Sequence, residues 1–240
     1  EELEKLALAS KGAQRSLDGA EVREPGPDRI VVFQEFDQLL PWKTARQNVE
    51  FPLRKARGLG KAEARQRTED ALERVGLTRA LTSFPHQLSG GMNQRVMIAM
   101  AIACNPKLLI ADEPTTALDV TIQGQILDLI AGLVAERGMS MILISHDLGV
   151  IAENVERMMV MYGGTVVESG ETNAVFTRMG HPYTQGLFRA RPRLGARKGT
   201  RLKTIAGTVP ELADLPAGCT FADRCTIQMS YAIGVSKPLS

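Results

Sequence analysis

The sequence predicts an α/β fold with a parallel sheet, and three observations support this prediction. The chain has 240 residues, enough for one large domain with a substantial core. Its 44% hydrophobic and 23% charged residues are close to ordinary globular usage. After Pro85, apolar strand-like runs alternate with longer helical patterns, which is typical of parallel strands joined by crossover helices.

The first third of the chain predicts two helices and one strand. Residues 1–17 form an amphipathic pattern that indicates a helix. Residues 29–34 are a β-branched and aromatic run, so we expect a buried strand with Gln34 at its exit. Residues 61–75 are rich in Ala, Glu and Arg and precede Gly76, which predicts an exposed helix.

The sequence of the middle of the chain predicts the alternating strands and helices after Pro85. A short helix and a hairpin that turns at Gly163-Gly164 are predicted to follow them. From about His181 onward Pro, Gly and Arg accumulate, which indicates a linker and a small C-terminal appendage. The predicted elements of the block are helix 89–104, strand 107–111, helix 120–137, strand 140–144, strand 157–162 and strand 165–168.

Composition excludes some classes of protein. A formal net charge of +2 is too small to indicate a nucleic-acid partner. A basic run between Arg189 and Lys203 fits a solvated linker, or a contact with anionic lipid or RNA. No apolar stretch reaches the ~20 residues of a membrane helix. Three cysteines form no disulfide framework, so we expect a reducing compartment.

Ser89-Gly90-Gly91 opens the first helix of the block. Ser89 is a good N-cap, the glycines allow close approach, and the exposed N–H groups of a helix start can bind phosphate. A plain N-capped helix is the alternative, because Ser-Gly-Gly is common in turns.

Three further sites follow the predicted strands. Asp112 and Glu113 end an apolar strand at the edge where α/β folds bind ligands, and could hold Mg²⁺ and activate water, or be surface carboxylates. Asp119 follows at short range. His146 ends the next strand and would reach the edge that holds Glu113, although a helix cap or a solvated ring is the alternative.

The run PHQLSGGMNQRVMIAMAIACNPKLLIADEPTTALDVTIQGQILDLI resembles the signature-to-D-loop region of ABC transporter ATPases. This resemblance implies an incomplete P-loop NTPase (RecA-like) core with a helical subdomain at about 37–104 and a C-terminal extension from 181. It also implies ATP and Mg²⁺ as ligands and a dimer in which the signature of one subunit closes over ATP held by the other.

The resemblance assigns roles residue by residue. Ser89, Gly90 and Gly91 resemble the contacts to the γ-phosphate in trans, and Asp112 resembles the Walker B carboxylate. Glu113 resembles the catalytic base, His146 the switch histidine, Asp119 the D-loop residue at the dimer seam, and Gln34 the Q-loop glutamine that senses Mg²⁺ and the membrane subunit.

Two parts of the chain resemble different importers. Residues 18–84 resemble nitrate, sulfonate and taurine importers, whereas residues from 85 to about 225 resemble oligopeptide and dipeptide importers. The expected partners are a second ATP-binding subunit, permeases contacted near Gln34 to Trp42 and, indirectly, a solute-binding protein. The expected location is the cytoplasmic face of the inner membrane.

One departure from the family is the Walker A loop. No G-x-x-x-x-G-K-[ST] pattern occurs in residues 1–240, and Gly58-Leu59-Gly60-Lys61 lacks the required spacing. The resemblance therefore implies an ATP-binding and ATP-hydrolysing subunit of a bacterial importer, with peptides as the expected solute. Without this loop we expect no autonomous hydrolysis, but the chain could donate its signature face to an intact partner. The alternative is a catalytically defective relic or scaffold that binds ATP weakly or only in trans.

The second departure concerns Cys219 and Cys225. They resemble the start of a four-cysteine iron–sulfur pattern, but no third cysteine follows near Ala232. Because two thiols cannot hold a cubane cluster, we expect free thiols or zinc with a borrowed ligand.

Overall fold

The computed structural model describes residues 16–17, 20–21, 26, 28–116, 118–190, 204–225 and 227 of the chain. The chain divides into two compact units, one of Arg15–Asn154 and one of Glu1–Gln14 with Val155–Ser240. Each unit is described separately below.

The first unit begins with a short hairpin. Strands β1 (Ser16–Leu17) and β2 (Ala20–Glu21) pair in antiparallel orientation. The N-terminal helix predicted over residues 1–17 is therefore wrong at Ser16 and Leu17, and residues 1–15 lie outside the described residues. Ser16 and Leu17 pair instead with Glu21 and Ala20, so their backbone is extended and cannot continue a helix.

The sheet of the first unit has three parallel strands in the order β3 (Arg29–Val32), β4 (Leu108–Asp112) and β5 (Ser140–Ile144). The predicted α/β class is confirmed. Val32 pairs with Ala111, and Asp112 pairs with Ile144. Since all three strands run the same way, their carboxyl ends meet at one edge. Strand β3 ends at Val32, two residues earlier than predicted.

Among the described residues, three α-helices precede β4. Helix α1 spans Ala45–Lys55, α2 spans Lys61–Arg74 and α3 spans Gly90–Ala103. Nine of the 14 residues of helix α3 are buried, and the helix contacts α1, α2 and β3, so it lies at the centre of the unit. Short 3-10 turns at Phe36–Gln38 and Pro85–Gln87 lead into these helices.

Two helices flank β5. Helix α4 (Val120–Arg137) ends at Gly138, whose φ of 59° gives a left-handed C-cap, and α5 (Leu148–Asn154) follows the strand. The core combines apolar residues from α3, β4 and α4. Its fully buried members include Ile98, Ile102, Leu109, Ile126 and Ile130.

The second unit contains an antiparallel hairpin and two helices. Strands β6 (Arg157–Tyr162) and β7 (Thr165–Glu171) pair across Gly163 and Gly164, whose positive φ angles of 53° and 75° fit the tight turn. Helix α6 (Thr172–Arg178) packs on this hairpin, and α7 (Pro182–Ala190) follows. None of the described helices is long and apolar enough to cross a membrane.

Candidate functional site

Two carboxylates stand at the carboxyl end of β4. Asp112 is the last residue of the strand, and Glu113 follows it. Glu113 has a φ of 47°, which is uncommon for a residue other than glycine, and its N–H donates to the carbonyl of Ile144 at 3.0 Å. The turn is thereby fixed to the end of β5, so that the Glu113 side chain faces the segment after that strand.

Glu113 and His146 are in direct contact. Glu113 Oε1 accepts from the backbone N–H of His146 at 2.8 Å and lies 2.7 Å from His146 Nδ1. Thr116 donates its hydroxyl to Glu113 Oε2 at 2.6 Å. Burial by itself would raise the pKa of Glu113, but the hydrogen bonds from Thr116 and His146 together hold this pKa below its ordinary value.

The Glu113 side chain is only 19% exposed, whereas that of His146 is 74% exposed. A low-pKa carboxylate is therefore sheltered beside an open imidazole. This arrangement can orient a water molecule and accept its proton, and it offers an imidazole to an approaching ligand.

Ser89 caps the start of α3. Its hydroxyl accepts from the backbone N–H of Met92 at 3.3 Å, and the Ser89 side chain remains exposed. The buried Asn93 donates to the carbonyl of Pro85 at 3.1 Å and ties the first turn of the helix to the preceding 3-10 turn. The helix start is thus both rigid and accessible.

The two glycines of this turn pack closely against other residues of the chain, most tightly at Gly91. A Cβ at Gly91 would lie 2.8 Å from the Cγ2 of Ile122, and one at Gly90 would lie 3.3 Å from a methyl group of Leu118. These positions therefore have a structural role besides the phosphate contact that the sequence predicts.

Asp119 occupies the N-cap position of α4 and is exposed, but its side chain makes no capping hydrogen bond. The preceding loop is held instead by Gln123, whose amide donates to the carbonyls of Thr115 and Leu118, both at 3.0 Å. Sequence analysis missed Gln123. The available signal was a long polar residue in the first turn of a helix that follows a loop.

Gln34 is exposed, two residues beyond the end of β3. Gln38, which sequence analysis also missed, holds this segment by donating to the Val31 carbonyl at 3.2 Å and accepting from the Phe33 N–H at 3.3 Å. Because Val32 pairs with Ala111, Gln34 and Asp112 follow neighbouring residues of the sheet. Their oxygen atoms suit Mg²⁺, so these residues fit that ion.

The phosphates of ATP need binding groups other than the carboxylate and amide oxygens that suit Mg²⁺. Asp112, Gln34 and the Glu113–His146 pair lie at or just beyond the strand ends, and the sequence of residues 1–240 has no Walker A pattern, which is the loop that supplies a backbone nest, a lysine and a hydroxyl to phosphates. The assignment of these strand-end residues to a nucleotide site stays a prediction.

A cavity of about 250 Å³ lies at the opposite end of α3, beside Ala103 and Asn105. Helix α3 has 14 residues, so this cavity is roughly 20 Å from Ser89. Its arginines are engaged with the protein: Arg137 donates to the Ile102 carbonyl at 2.9 Å, and Arg74 pairs with Glu136. The cavity is thus separate from the candidate site.

Comparison with known proteins identifies the family. A putative peptide import ATP-binding protein of Brucella ovis is 50% identical over 250 residues, an alignment that covers 98% of this chain and 74% of the relative. The chain belongs to the ATP-binding subunits of ABC transporters. The dipeptide transport ATP-binding protein DppD of Escherichia coli is 46% identical to this ABC subunit, over 92% of the chain and 66% of the relative.

Family models match two parts of this ABC subunit. The ABC transporter model matches residues 8–116, and the model of the oligopeptide/dipeptide transporter C-terminal region matches residues 167–231. The predicted relationship is therefore confirmed, and by family the subunit is an ATPase. The predicted domain boundaries and residue roles stay predictions.

Solved structures show the same fold for this ABC subunit. The ATP-binding cassette MJ0796, in a dimeric post-hydrolysis state bound to ADP and Pi, is 34% identical with a TM-score of 0.56, covering 65% of this chain and 72% of that one. The cbiO1 protein of Clostridium perfringens, part of the cbiONQ transporter complex, is 28% identical with a TM-score of 0.64 and covers 74% of each chain. The predicted P-loop NTPase fold is confirmed.

The C-terminal cysteines are free thiols in this structure. Cys219 is exposed, and its sulfur lies 3.8 Å from His181 Nε2, whereas Cys225 is half-buried. Within the described part of the chain, no group of three or more His, Cys, Asp and Glu side chains could hold a metal ion.

Proposed function

We propose that this chain is the ATP-binding and ATP-hydrolysing subunit of a bacterial peptide importer and that it acts in a dimer. The contact between Glu113 and His146 at the ends of adjacent parallel strands carries this proposal. Peptides are the proposed solute because the relatives are named for peptide import and the C-terminal region matches an oligopeptide/dipeptide transporter model. Nitrate, sulfonate or taurine is the alternative solute, from the resemblance of residues 18–84.

The proposed roles are those that the family resemblance implies, and the contact between Glu113 and His146 supports them. Glu113 would accept the proton of an attacking water, and His146 would contact the terminal phosphate. Asp112 and Gln34, at neighbouring strand ends, would hold Mg²⁺. When bound, Mg²⁺ would supply the positive charge that neutralises phosphate oxygens.

Donation in trans is the second part of the proposal. Ser89, Gly90 and Gly91 form a rigid, exposed helix start whose N–H groups can bind the phosphates of a nucleotide held by the partner. This function does not require a Walker A loop in the same chain. Asp119 would lie at the seam between the two subunits.

The experiment uses a homologous subunit that has an intact Walker A loop but a defective signature serine. Alone, this partner should not hydrolyse ATP. Addition of the present chain should restore phosphate release if its signature completes the partner's site. Ser89→Arg should abolish the rescue, whereas Glu113→Gln should preserve it, because the rescued site contains the glutamate of the partner.

Binding of labelled ATP with Mg²⁺ to the chain alone tests autonomous activity. We expect weak or undetectable binding. Tight binding would mean that another element of the chain replaces the Walker A loop, and would contradict the requirement for a partner.

A catalytically defective relic or scaffold is the second candidate function. The absence of a Walker A pattern from residues 1–240 favours it. This candidate predicts that the chain associates with the partner without restoring phosphate release. Sedimentation of the mixture, measured in parallel with hydrolysis, separates the two candidates.

The proposed permease contact includes Trp42, which is 69% exposed. Leu39 is only 4% exposed because it packs in the core, and Leu40 is half-buried, so neither residue extends the exposed surface of Trp42. Pro41 and Trp42 remain available, and Phe51 nearby is 42% exposed. Because Trp42 is the single tryptophan, its fluorescence should change when permeases bind, and Trp42→Ala should weaken binding.

The remaining proposals concern partners and location. A solute-binding protein would act indirectly through the permeases, and the subunit would lie at the cytoplasmic face of the inner membrane. Co-sedimentation with permease-containing vesicles, compared with empty vesicles, tests this placement.

A further inference from the structure

Two side chains from different loops reach the same side of Gly90, at the start of α3. A Cβ placed at Gly90 would lie 3.6 Å from Phe36 Cζ and 3.3 Å from Leu118 Cδ2. Phe36 belongs to the 3-10 turn after β3, and Leu118 belongs to the loop before α4. Both side chains are half-buried and pack against the core of the first unit. The position of Gly90 therefore depends on both loops.

The turn that carries Phe36 is attached to the sheet. Gln38 donates to the Val31 carbonyl of β3 at 3.2 Å and accepts the Phe33 N–H at 3.3 Å. The Phe36 carbonyl accepts the N–H of Leu39 at 2.9 Å, and Leu39 is buried in the core. The Phe36 ring therefore extends from a backbone that hydrogen bonds and burial hold in place.

The loop that carries Leu118 is also held by hydrogen bonds. The amide of Gln123, in the first turn of α4, donates to the carbonyls of Thr115 and Leu118, both at 3.0 Å. The Leu118 N–H donates to the Thr115 carbonyl at 3.1 Å. Because both loops have a fixed backbone, the apolar surface that they present to Gly90 is preformed.

The capping contact at the start of α3 is weak enough for this packing to matter. The hydroxyl of Ser89 accepts the Met92 N–H at 3.3 Å, which is at the long end of hydrogen-bond distances. Ser89 is exposed, and the first N–H groups of a helix have no partners within it. Packing at Gly90 therefore contributes to where the Ser89 hydroxyl and these N–H groups point.

We propose that Phe36 is a positioning residue for the phosphate contacts of Ser89 and Gly90. This inference rests on the proposed function, in which these contacts complete a nucleotide site of the partner. Phe36 acts through Gly90, because its ring fills the space into which the first turn of α3 would otherwise shift. Since catalysis depends on hydrogen-bond positions within fractions of an ångström, such a shift lowers turnover more than it weakens nucleotide binding.

The test adds variants of the full chain to the partner subunit that has an intact Walker A loop and a defective signature serine. At a saturating concentration of the chain, Phe36→Ala should lower the kcat of the rescued phosphate release roughly tenfold. The KM for ATP should remain that of the wild type, because the Walker A loop of the partner holds the nucleotide.

Phe33→Ala is the matched control, because Phe33 is an exposed phenylalanine shortly before Phe36 in the chain. This variant should rescue hydrolysis like the wild type. Equal kcat values for Phe36→Ala and Phe33→Ala, in an assay where the wild type rescues, would overturn the proposal. If Phe36→Ala does not fold, Phe36→Leu replaces it. Leucine lacks the Cζ atom that lies nearest to Gly90, so its kcat should also fall, and a wild-type kcat would overturn the proposal.

Hydrogen exchange of the chain alone separates this inference from the proposed function. In Phe36→Ala, the Met92 amide should exchange roughly tenfold faster, whereas the Ile98 amide in the middle of α3 should change much less. An unchanged Met92 rate, or equal acceleration at both amides, would overturn the role of Phe36. Absence of rescue by the wild type would contradict the proposed function instead.

Discussion

At the residue scale, Glu113 combines backbone strain with a carboxylate whose two oxygens both accept hydrogen bonds. Its left-handed φ of 47° costs on the order of 1 kcal/mol for a side chain of this size. The hydrogen bonds to Glu113 from Thr116, from His146 and toward Ile144 hold the strained turn in place. Oε2 accepts only the Thr116 hydroxyl among these hydrogen bonds, so the carboxylate can still accept one from water.

Replacement of Glu113 by Gln should change how stability depends on pH. Because the pKa of Glu113 is lower in the folded chain, ionised Glu113 stabilises the fold above its unfolded pKa, and this contribution is lost as pH falls through the folded pKa. Between about pH 6 and about pH 3, the wild type should lose roughly 1 kcal/mol more unfolding free energy than Glu113→Gln. Urea unfolding at both pH values provides the measurement.

Glu153→Gln is the matched control for this experiment, because Glu153 is an exposed carboxylate in the same unit. Its stability should follow that of the wild type at both pH values. An identical pH dependence in Glu113→Gln and the wild type would show that the hydrogen bonds to Glu113 contribute nothing.

Gly91 and Gly132 should respond in opposite ways to alanine. A Cβ at Gly91 would come within 2.8 Å of Ile122, so Gly91→Ala should destabilise the chain by about 1 to 3 kcal/mol. Nothing lies within 4 Å of a Cβ at Gly132 inside α4, so Gly132→Ala should stabilise it by about 0.5 to 1 kcal/mol. Thermal unfolding of both variants measures the difference, and a loss of stability in both would contradict the packing argument.

The sequence predicted the site residues at the strand ends better than it predicted the residues that hold them in place through hydrogen bonds. Asp112, Glu113 and His146 follow apolar strands, and parallel strands bring such positions to one edge. The contact between Thr116 and Glu113 depends on a rotamer and a left-handed turn, neither of which leaves a sequence pattern. The side-chain amides of Gln38 and Gln123 donate hydrogen bonds to backbone carbonyls. Because every residue has a backbone carbonyl, the sequence does not indicate which ones these glutamines contact.

At the element scale, α1 shows where sequence patterns fail. It contains Pro52, which is normally disfavoured inside a helix, and it was not predicted. A capping box between Thr44 and Gln47 begins the helix, and the buried Val49 and Leu53 anchor it. Tertiary packing therefore outweighs the local preference. In contrast, α4 and β5 have the predicted bounds, because Gly138 separates two strongly apolar segments.

Asn48 connects α1 to the loop that carries Trp42. Its Oδ1 accepts from the Leu40 N–H at 2.8 Å, and its Nδ2 lies 3.2 Å from the Leu40 carbonyl and 3.1 Å from that of Lys43. Since Asn48 is 2% exposed, Asn48→Leu should leave buried polar groups unsatisfied and cost about 2 to 3 kcal/mol. Hydrogen exchange at Leu40 should accelerate in parallel.

Lys55→Ala serves as the control, because Lys55 is an exposed residue of the same helix. Its unfolding free energy and the exchange rate at Leu40 should remain those of the wild type. If Asn48→Leu unfolds at the wild-type urea concentration, the hydrogen bonds of Asn48 do not hold this loop.

At the scale of the whole molecule, the sheet of the first unit has an open edge. Strand β5 pairs with β4 on one side, and among the described residues no strand pairs with its other side. Ile142 in the middle of β5 is 44% exposed. An apolar strand edge of this kind favours association with other chains.

Ile142→Lys should therefore reduce self-association of the chain. Sedimentation velocity over a concentration series should show fewer oligomers and less aggregate than in the wild type. Val209→Lys also replaces an exposed apolar residue by lysine, but Val209 lies in an irregular segment, so this variant should associate like the wild type. Equal effects of the two substitutions would indicate that charge, and not the strand edge, controls association.

The glycine turn before α3 has a mechanical consequence. A Cβ at Gly91 would lie 2.8 Å from Ile122, so α3 and the start of α4 pack closely at this point. The Gln123 amide ties the loop before α4 to the same place. We therefore expect a displacement at Asp119 to be transmitted to Ser89 through this contact.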